Sequence, residues 1–291
     1  MASLPQNEPV AAKGTAQRLV PHASEKPWGR HDLGAWGVSP PGAKIGEIHH
    51  RMLEESDPAL LVKTLFTGER LSVQVHPDAA AARAAGHSRG KDEAWVVLAA
   101  DPGATIGLGL KATCEAETLR AAALDGSIID MMVWHSCQPG DVFFCPAGTV
   151  HAIGAGVTLF EVQQNLDLTY RLYDYGRQRS LHLDEALGVA VLAGWAPPEV
   201  PRVWGRGREL LVEGPGFVLE RVLIGGSGTV GPAQDGAVWI AVVSGEVEIC
   251  GERACAGEVW HAADEVTVSG DALVLLAYPG AAAANGIWRG E

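Results

Sequence analysis

Residues Leu71 to Asp78 read LSVQVHPD. Leu71, Val73 and Val75 alternate with Ser72, Gln74 and His76, the period of two that marks a strand with two unlike faces. One face is apolar. The other carries a hydroxyl, an amide and an imidazole, so it either meets water or lines a cavity on which polar groups converge. Alternate residues of a strand share a face, so Gln74 and His76 point the same way.

Two spaced patterns favour the cavity. Gly68 is followed after five residues by Gln74 and, one residue further, by His76. Later, Gly140 is followed after five residues by Pro146, then Gly148 and His151, so a Pro-Ala-Gly turn brings His151 onto a new strand. Between the two patterns, GKDEAWVV places Glu93 at the start of another strand. Taken singly, each residue has an ordinary structural explanation: a packed strand histidine, a surface carboxylate. Jointly, Gln74, His76, Glu93 and His151 offer an amide oxygen, two imidazoles and a carboxylate. That set suits a borderline divalent cation, Zn²⁺ first, and would also accept Mn²⁺ or Co²⁺.

Strand-like runs dominate from Leu60 onward (LLVKTLF, AWVVLAA, VTLFEVQQ, AVWIAVVSGEVEIC), with Gly, Pro and Asp turns between them. Many short strands at this spacing predict an all-β sandwich or barrel. Helices are few: one is expected after Asp78 as N-cap, stopping at Gly86, a second ending at Gly126, and a third in LHLDEALGVAVLAG. The expected organisation is a flexible N-terminal leader over 1–25, a larger metal-binding domain over 26–195, a Pro- and Gly-rich linker over 196–209 and a smaller β domain over 210–291. The last echoes the first only loosely: Gly257, Glu258 and His261 recur, while the Pro-x-Gly turn is missing. His49 and His50, in IGEIHH, read as exposed loop histidines.

The chain has 291 residues and a formal charge of −13, which argues against nucleic acid or an anionic membrane as partner. No run of eighteen apolar residues exists, and the N-terminus lacks a signal-like apolar region, so a cytoplasmic location is expected. The five cysteines show no CxxC spacing, which makes a disulfide framework or a cysteine zinc site a poor fit.

The paired patterns resemble the two motifs of the cupin superfamily, with Gln74 where a histidine is usual and Ala155 where an Asn often stands. Within it, KPWGRHDLG, LLVKTLFTGERLSVQVHPD, GKDEAWVVL, PGDVFFCPAGTVHAIGAGVTLFEVQQNLDLTYRLYDYGR and LHLDEAL resemble the short bacterial type I phosphomannose isomerases over most of residues 26–190. The resemblance implies a mainly all-β fold, a cupin-type β-barrel or jelly roll with a few short helices, plus a second, smaller and degenerate cupin-like β domain. It implies one Zn²⁺ per chain on Gln74, His76, Glu93 and His151. It implies that Arg171 assists turnover, that Glu161 or Asp167 is the general base, and that Lys63, Ser72 and Lys91 contact the substrate or its phosphate. The implied reaction interconverts D-mannose 6-phosphate and D-fructose 6-phosphate through an enediol, in a monomer or small homo-oligomer. The alternatives are a sugar-phosphate-binding metal cupin without turnover and an Fe(II) or Mn(II) cupin oxygenase. Arg30 in KPWGR and the two histidines of IGEIHH depart from the family pattern and bear on pocket shape.

Overall fold

A computed structural model of the chain describes residues 15–53, 57–197, 202–204, 207–231 and 236–290. Its first strands are β1 (Ala16–Arg18), β2 (Val20–Arg30), β3 (Ile45–Arg51), β4 (Leu60–Phe66), β5 (Val73–Val75), β6 (Glu93–Ala100) and β7 (Thr105–Leu110). There follow β8 (Met132–Ser136), β9 (Val142–Cys145), β10 (His151–Ile153), β11 (Val157–Gln164) and β12 (Tyr170–Tyr173). The remainder holds β13 (Arg202–Trp204), β14 (Arg208–Glu213), β15 (Phe217–Val230), β16 (Val238–Ile249), β17 (Glu252–Cys255), β18 (Val259–Ala262), β19 (Val266–Pro279) and β20 (Trp288–Gly290). The helices are α1 (Ala79–Ala84), α2 (Ala116–Asp125), α3 (Ile128–Met131) and α4 (Leu183–Val189).

The chain is mainly β, as its alternation predicts. A six-stranded sheet, β2-β3-β4-β11-β6-β9, faces a five-stranded sheet, β12-β5-β10-β7-β8, and the two close into a barrel. Leu65, Trp95, Val97 and Leu159 from the first sheet and Ile106, Leu108 and Ile153 from the second pack in one core between them. Strand β11 shows how the period of two divides labour. Phe160 and Val162 point out of the barrel and join Leu60, Val62, Ala94 and Val96 against Leu211, Phe217, Leu219, Trp239 and Leu275 of the C-terminal sheet. Its other face, Leu159, Glu161 and Gln163, points in. The third, nine-stranded sheet has β1-β18-β16-β19-β15-β14-β13 as its main path, and its far face covers a second core around Val222, Ile240, Trp260 and Leu276.

The helices form where their caps lie. Asp78 accepts from the Ala81 N–H at 2.7 Å to start α1, and Gly126, at φ +87°, closes α2 in the left-handed region.

Two expectations need correction. The leader expected over 1–25 is not free where the structure describes it: Ala16–Arg18 pairs with β18 in the C-terminal sheet, and β2 pairs with β3 in the barrel. The stretch thus stitches both lobes, and its partner strand lies some 240 residues away, out of reach of local pattern. Residues 1–14 lie outside the described residues. The linker expected over 196–209 is partly strand, since β13 pairs with β14 as Arg202↔Leu210 and Trp204↔Arg208.

Candidate metal centre and its cavity

Gln74 lies on β5, His151 opens β10 directly opposite it, and Arg171 on β12 pairs with Gln74 from the other side. His76 follows β5, and Glu93 opens β6 in the facing sheet. Two sheets therefore aim their polar positions at one point.

At that point His76, Glu93 and His151, all buried, bring one donor atom each to within 4.8 Å of one another. Nε2 of His76 is 3.3 Å and Nε2 of His151 is 3.7 Å from the Glu93 carboxylate. Each imidazole gives its Nδ1 to a backbone carbonyl, His76 to Leu168 at 3.0 Å and His151 to Thr149 at 2.8 Å. A carbonyl only accepts, so Nδ1 carries the proton and both Nε2 lone pairs face the cluster, the orientation outer partners impose on metal-ligating histidines. Burial, then the neighbouring Lys91, pushes His76 down to about 3, and burial pushes His151 down as well, so both rings are neutral at pH 7. Burial works to raise the Glu93 carboxyl, but Lys91 and the two rings outweigh it and hold it well below the usual carboxylate range.

Gln74 directs its amide nitrogen at Nε2 of His151, 3.2 Å away, while its amide oxygen accepts from the Ser72 hydroxyl at 3.1 Å. Turning the amide by half a revolution would present its oxygen to the cluster. Two neutral imidazole nitrogens and a carboxylate thus converge, with the Lys91 ammonium, 3.3 Å from Nε2 of His76, and the Gln74 amide as their donors. The donor set fits a divalent metal ion.

Gln74 and Glu93 of this group also line a cavity of about 260 Å³. Every remaining residue expected from the sequence lines it: Lys63, Ser72, Lys91, Glu161, Asp167 and Arg171. The arrangement differs from a simple row of free cations, however. Lys91 is buried and lies 2.9 Å from Glu93. Lys63, equally buried, donates to Gln163 at 2.8 Å and sits 3.4 Å from Glu161. Glu161 accepts from the Trp95 indole at 2.9 Å, and burial, then the charge on Glu93, raises its carboxyl. Arg171 donates to the Ser180 carbonyl at 2.8 Å, forms no ion pair among the described residues, and buries an Nε without a hydrogen-bond partner. Asp167 is exposed at the wall.

Sequence reasoning missed Lys26, Glu47, His49 and Arg179, which also line the cavity. His49 and His50 are not loop residues: both lie on β3, pointing to opposite faces, His49 into the cavity and His50 buried against the Thr64 hydroxyl at 3.1 Å. Glu47 accepts from His49 at 2.8 Å and pairs with Lys26 at 3.1 Å. Although burial works to raise its carboxyl, the His49 hydrogen bond and the two lysines outweigh that and hold it at about 2. The hydropathy of IGEIHH gives no clean period of two, since Ile45 and Ile48 fall on opposite faces of the strand. Arg179 is held bidentately by the buried Asp174, at 2.7 Å for both contacts.

In the C-terminal lobe, His261 stacks edge-on to Trp239 at 4.7 Å. Among the described residues, no second group of three or more His, Cys, Asp or Glu donors converges. No helix among the described residues is long and apolar enough to cross a membrane.

The fold, a β-barrel joined to a second β-sheet, is that of solved phosphomannose isomerase structures. A crystal structure of the mannose 6-phosphate isomerase from Bacillus subtilis superposes with a TM-score of 0.77 over 90% of this chain and 98% of that one, at 23% identity. A putative mannosephosphate isomerase from Archaeoglobus fulgidus gives 0.73 over 93% and 99%, at 18% identity. At these identities the likeness establishes the fold. In sequence, the chain is similar to the mannose-6-phosphate isomerase of Streptococcus mutans, 37% identical over 202 residues, covering 64% of this chain and 63% of that protein. It is also similar to the mannose-6-phosphate isomerase ManA of Bacillus subtilis, 38% identical over 161 residues, about half of each chain. The chain thus matches less than two thirds of the length of these curated relatives. No family model matches it.

Proposed function

We propose that the chain is a metal-dependent aldose–ketose isomerase that interconverts D-mannose 6-phosphate and D-fructose 6-phosphate. The observation that carries this reading is the convergence of neutral His76, neutral His151 and ionised Glu93, the last of which lines the same cavity as Lys63, Glu161 and Arg171. The similar proteins from Streptococcus and Bacillus bear the name of that activity.

His76, Glu93 and His151, with Gln74, would hold Zn²⁺. When bound, that ion supplies Lewis-acid stabilisation of the negative charge that develops as C1 and C2 exchange a proton. The rest falls to the chain's own groups. Glu161 is the proposed base, because a carboxyl raised by burial is better matched to accepting a carbon-bound proton near neutral pH than an exposed one. Lys63 and Trp95 fix its two oxygens, so it is already oriented when substrate arrives. Asp167, at the wall, is the other candidate base and otherwise orients a sugar hydroxyl.

The unpartnered Nε of Arg171 offers a ready donor to a substrate oxygen. Lys63, Lys91 and Ser72 contribute polar contacts, and five cationic side chains line the cavity, counting Lys26 and Arg179. They oppose the −13 charge of the whole chain where an anionic substrate must enter. Binding the phosphate away from the reacting carbons anchors them against the base. A cytoplasmic location belongs to the same proposal, since a phosphorylated sugar does not cross a bilayer unaided.

The test is a coupled assay of the purified protein with mannose 6-phosphate, before chelation, after chelation and after Zn²⁺ is restored. Turnover that vanishes and returns supports the reading. Zinc binding with no turnover would replace it by a sugar-phosphate-binding cupin.

A further inference from the structure

The three buried donors come from two different sheets, so something must hold the sheets in register at the cluster. A short turn does this. Pro146–Gly148 leaves β9, whose Cys145 pairs with Glu93, and the chain returns as β10 at His151. Its backbone meets all three donor segments. The Gly148 N–H donates to the His76 carbonyl at 2.8 Å, and the Thr149 carbonyl accepts from Nδ1 of His151 at 2.8 Å. The Ala147 N–H donates to Oδ1 of Asp92, beside Glu93, at 2.9 Å.

Two of these links begin and end on the backbone or on a donor itself. Asp92 is the one additional side chain. It is 7% exposed, and its own backbone is fixed by Gln164, which accepts from the Asp92 N–H at 3.1 Å through its side chain and donates to the Asp92 carbonyl at 3.1 Å through its backbone. The carboxylate is therefore a rigid acceptor where the turn passes Glu93. It points at Ala147 and is not among the converging donors.

We infer that Asp92 is a positioning residue for the metal centre: its carboxylate clamps the Pro146–Gly148 turn and so sets the spacing of His151 and His76 against Glu93. The inference rests on the metal-centre reading given above. A metal site tolerates donor displacements of only about 0.2 Å, so loosening the turn should weaken metal binding without removing a ligand. Partners of this outer kind typically change affinity by about 10- to 100-fold.

The experiment measures Zn²⁺ affinity of the full-length protein by competition with a chromogenic chelator. The proteins compared are wild type, Asp92→Asn, Asp92→Glu and Asp92→Ala, with thermal melts of each metal-free protein to verify folding. Asp92→Asn keeps an oxygen at the same reach and is expected to retain most of the affinity. Asp92→Glu keeps the charge but displaces the acceptor by a methylene, and Asp92→Ala removes it. Both are expected to lose about 10- to 100-fold. Wild-type affinity in Asp92→Glu and Asp92→Ala overturns the inference. So does a loss in Asp92→Asn as large as or larger than in Asp92→Glu, and affinity retained in Asp92→Glu alone would assign the effect to charge. If Asp92→Ala does not fold, the Asn and Glu variants still decide between geometry and charge. A wild-type protein that binds no Zn²⁺ overturns the metal-centre reading itself, a different failure from equal affinities across the series.

Discussion

The two lobes bury charge in opposite ways. In the C-terminal sheet, Glu220 is fully buried, and the protein satisfies it completely: the Arg208 guanidinium donates from two nitrogens, one at 2.8 Å, and the Tyr278 hydroxyl donates as well. Arg208 passes its remaining donors to the carbonyls of Ala284 and Asn285, and the Ala284 N–H closes the loop on Tyr278 at 3.0 Å. In the barrel, buried Glu93 ion-pairs with Lys91 but shares that ammonium with Nε2 of His76, and it also faces the His151 ring. A buried charge that the fold satisfies is a structural device. One left facing other acceptors calls for a ligand. The same β architecture thus carries a packed interior in one lobe and a prepared site in the other.

The largest effect that would sharpen this contrast is His76→Ala. Removing one of the converging donors is expected to lower kcat/KM for mannose 6-phosphate by more than about 10³-fold, with loss of bound zinc, while the C-terminal core and its melting behaviour change little. Comparable zinc and turnover in the variant would remove His76 from the centre. Glu161→Gln should leave zinc content intact and lower kcat by about 10²- to 10⁴-fold. If Asp167→Asn shows that loss instead, the base is the residue at the cavity wall.

Breaking the other side of the comparison should show up in stability. Glu220→Ala strands the buried Arg208 and is expected to cost roughly 3–5 kcal/mol in denaturant unfolding, with kcat per folded molecule unchanged. A variant of unaltered stability would mean that the network is not holding the lobe.

A smaller effect concerns His50, on the face of β3 that points away from the cavity. Burial, then repulsion from His49, lowers it to about 4 from the usual 6.5. The unfolded chain binds a proton below pH 6.5 that the folded chain refuses until pH 4, so stability is full above 6.5 and falls as pH drops through that window. The loss is on the order of 3 kcal/mol. His50→Gln should lessen the slope relative to wild type in pH-dependent melts. Parallel curves would show that the folded protein accommodates the charge.

How much of this was legible in the sequence follows from how local the signal is. LSVQVHPD and the Gly140–His151 pattern present their chemistry within a few residues, and the structure gathers those donors in one place. The helix caps at Asp78 and Gly126 were equally local. What escaped depends on partners far along the chain. Register sets His49, Lys63, Glu161 and Trp95 side by side across four strands, and no one-strand pattern shows that Lys63 meets Glu161. Ala16–Arg18 gains its identity as a strand only from β18. Arg179 faces the cavity because Asp174 holds it there, a contact that the loop's Gly and Arg content conceals.

The central claim is that the barrel's donor cluster binds one metal ion and that this ion enables isomerisation. The most direct measurement titrates metal-free protein with Zn²⁺ while following fructose 6-phosphate formation from mannose 6-phosphate. Activity should rise in proportion to bound zinc and level off at one ion per chain. Full activity without metal, or bound zinc at one per chain with no product, would contradict it.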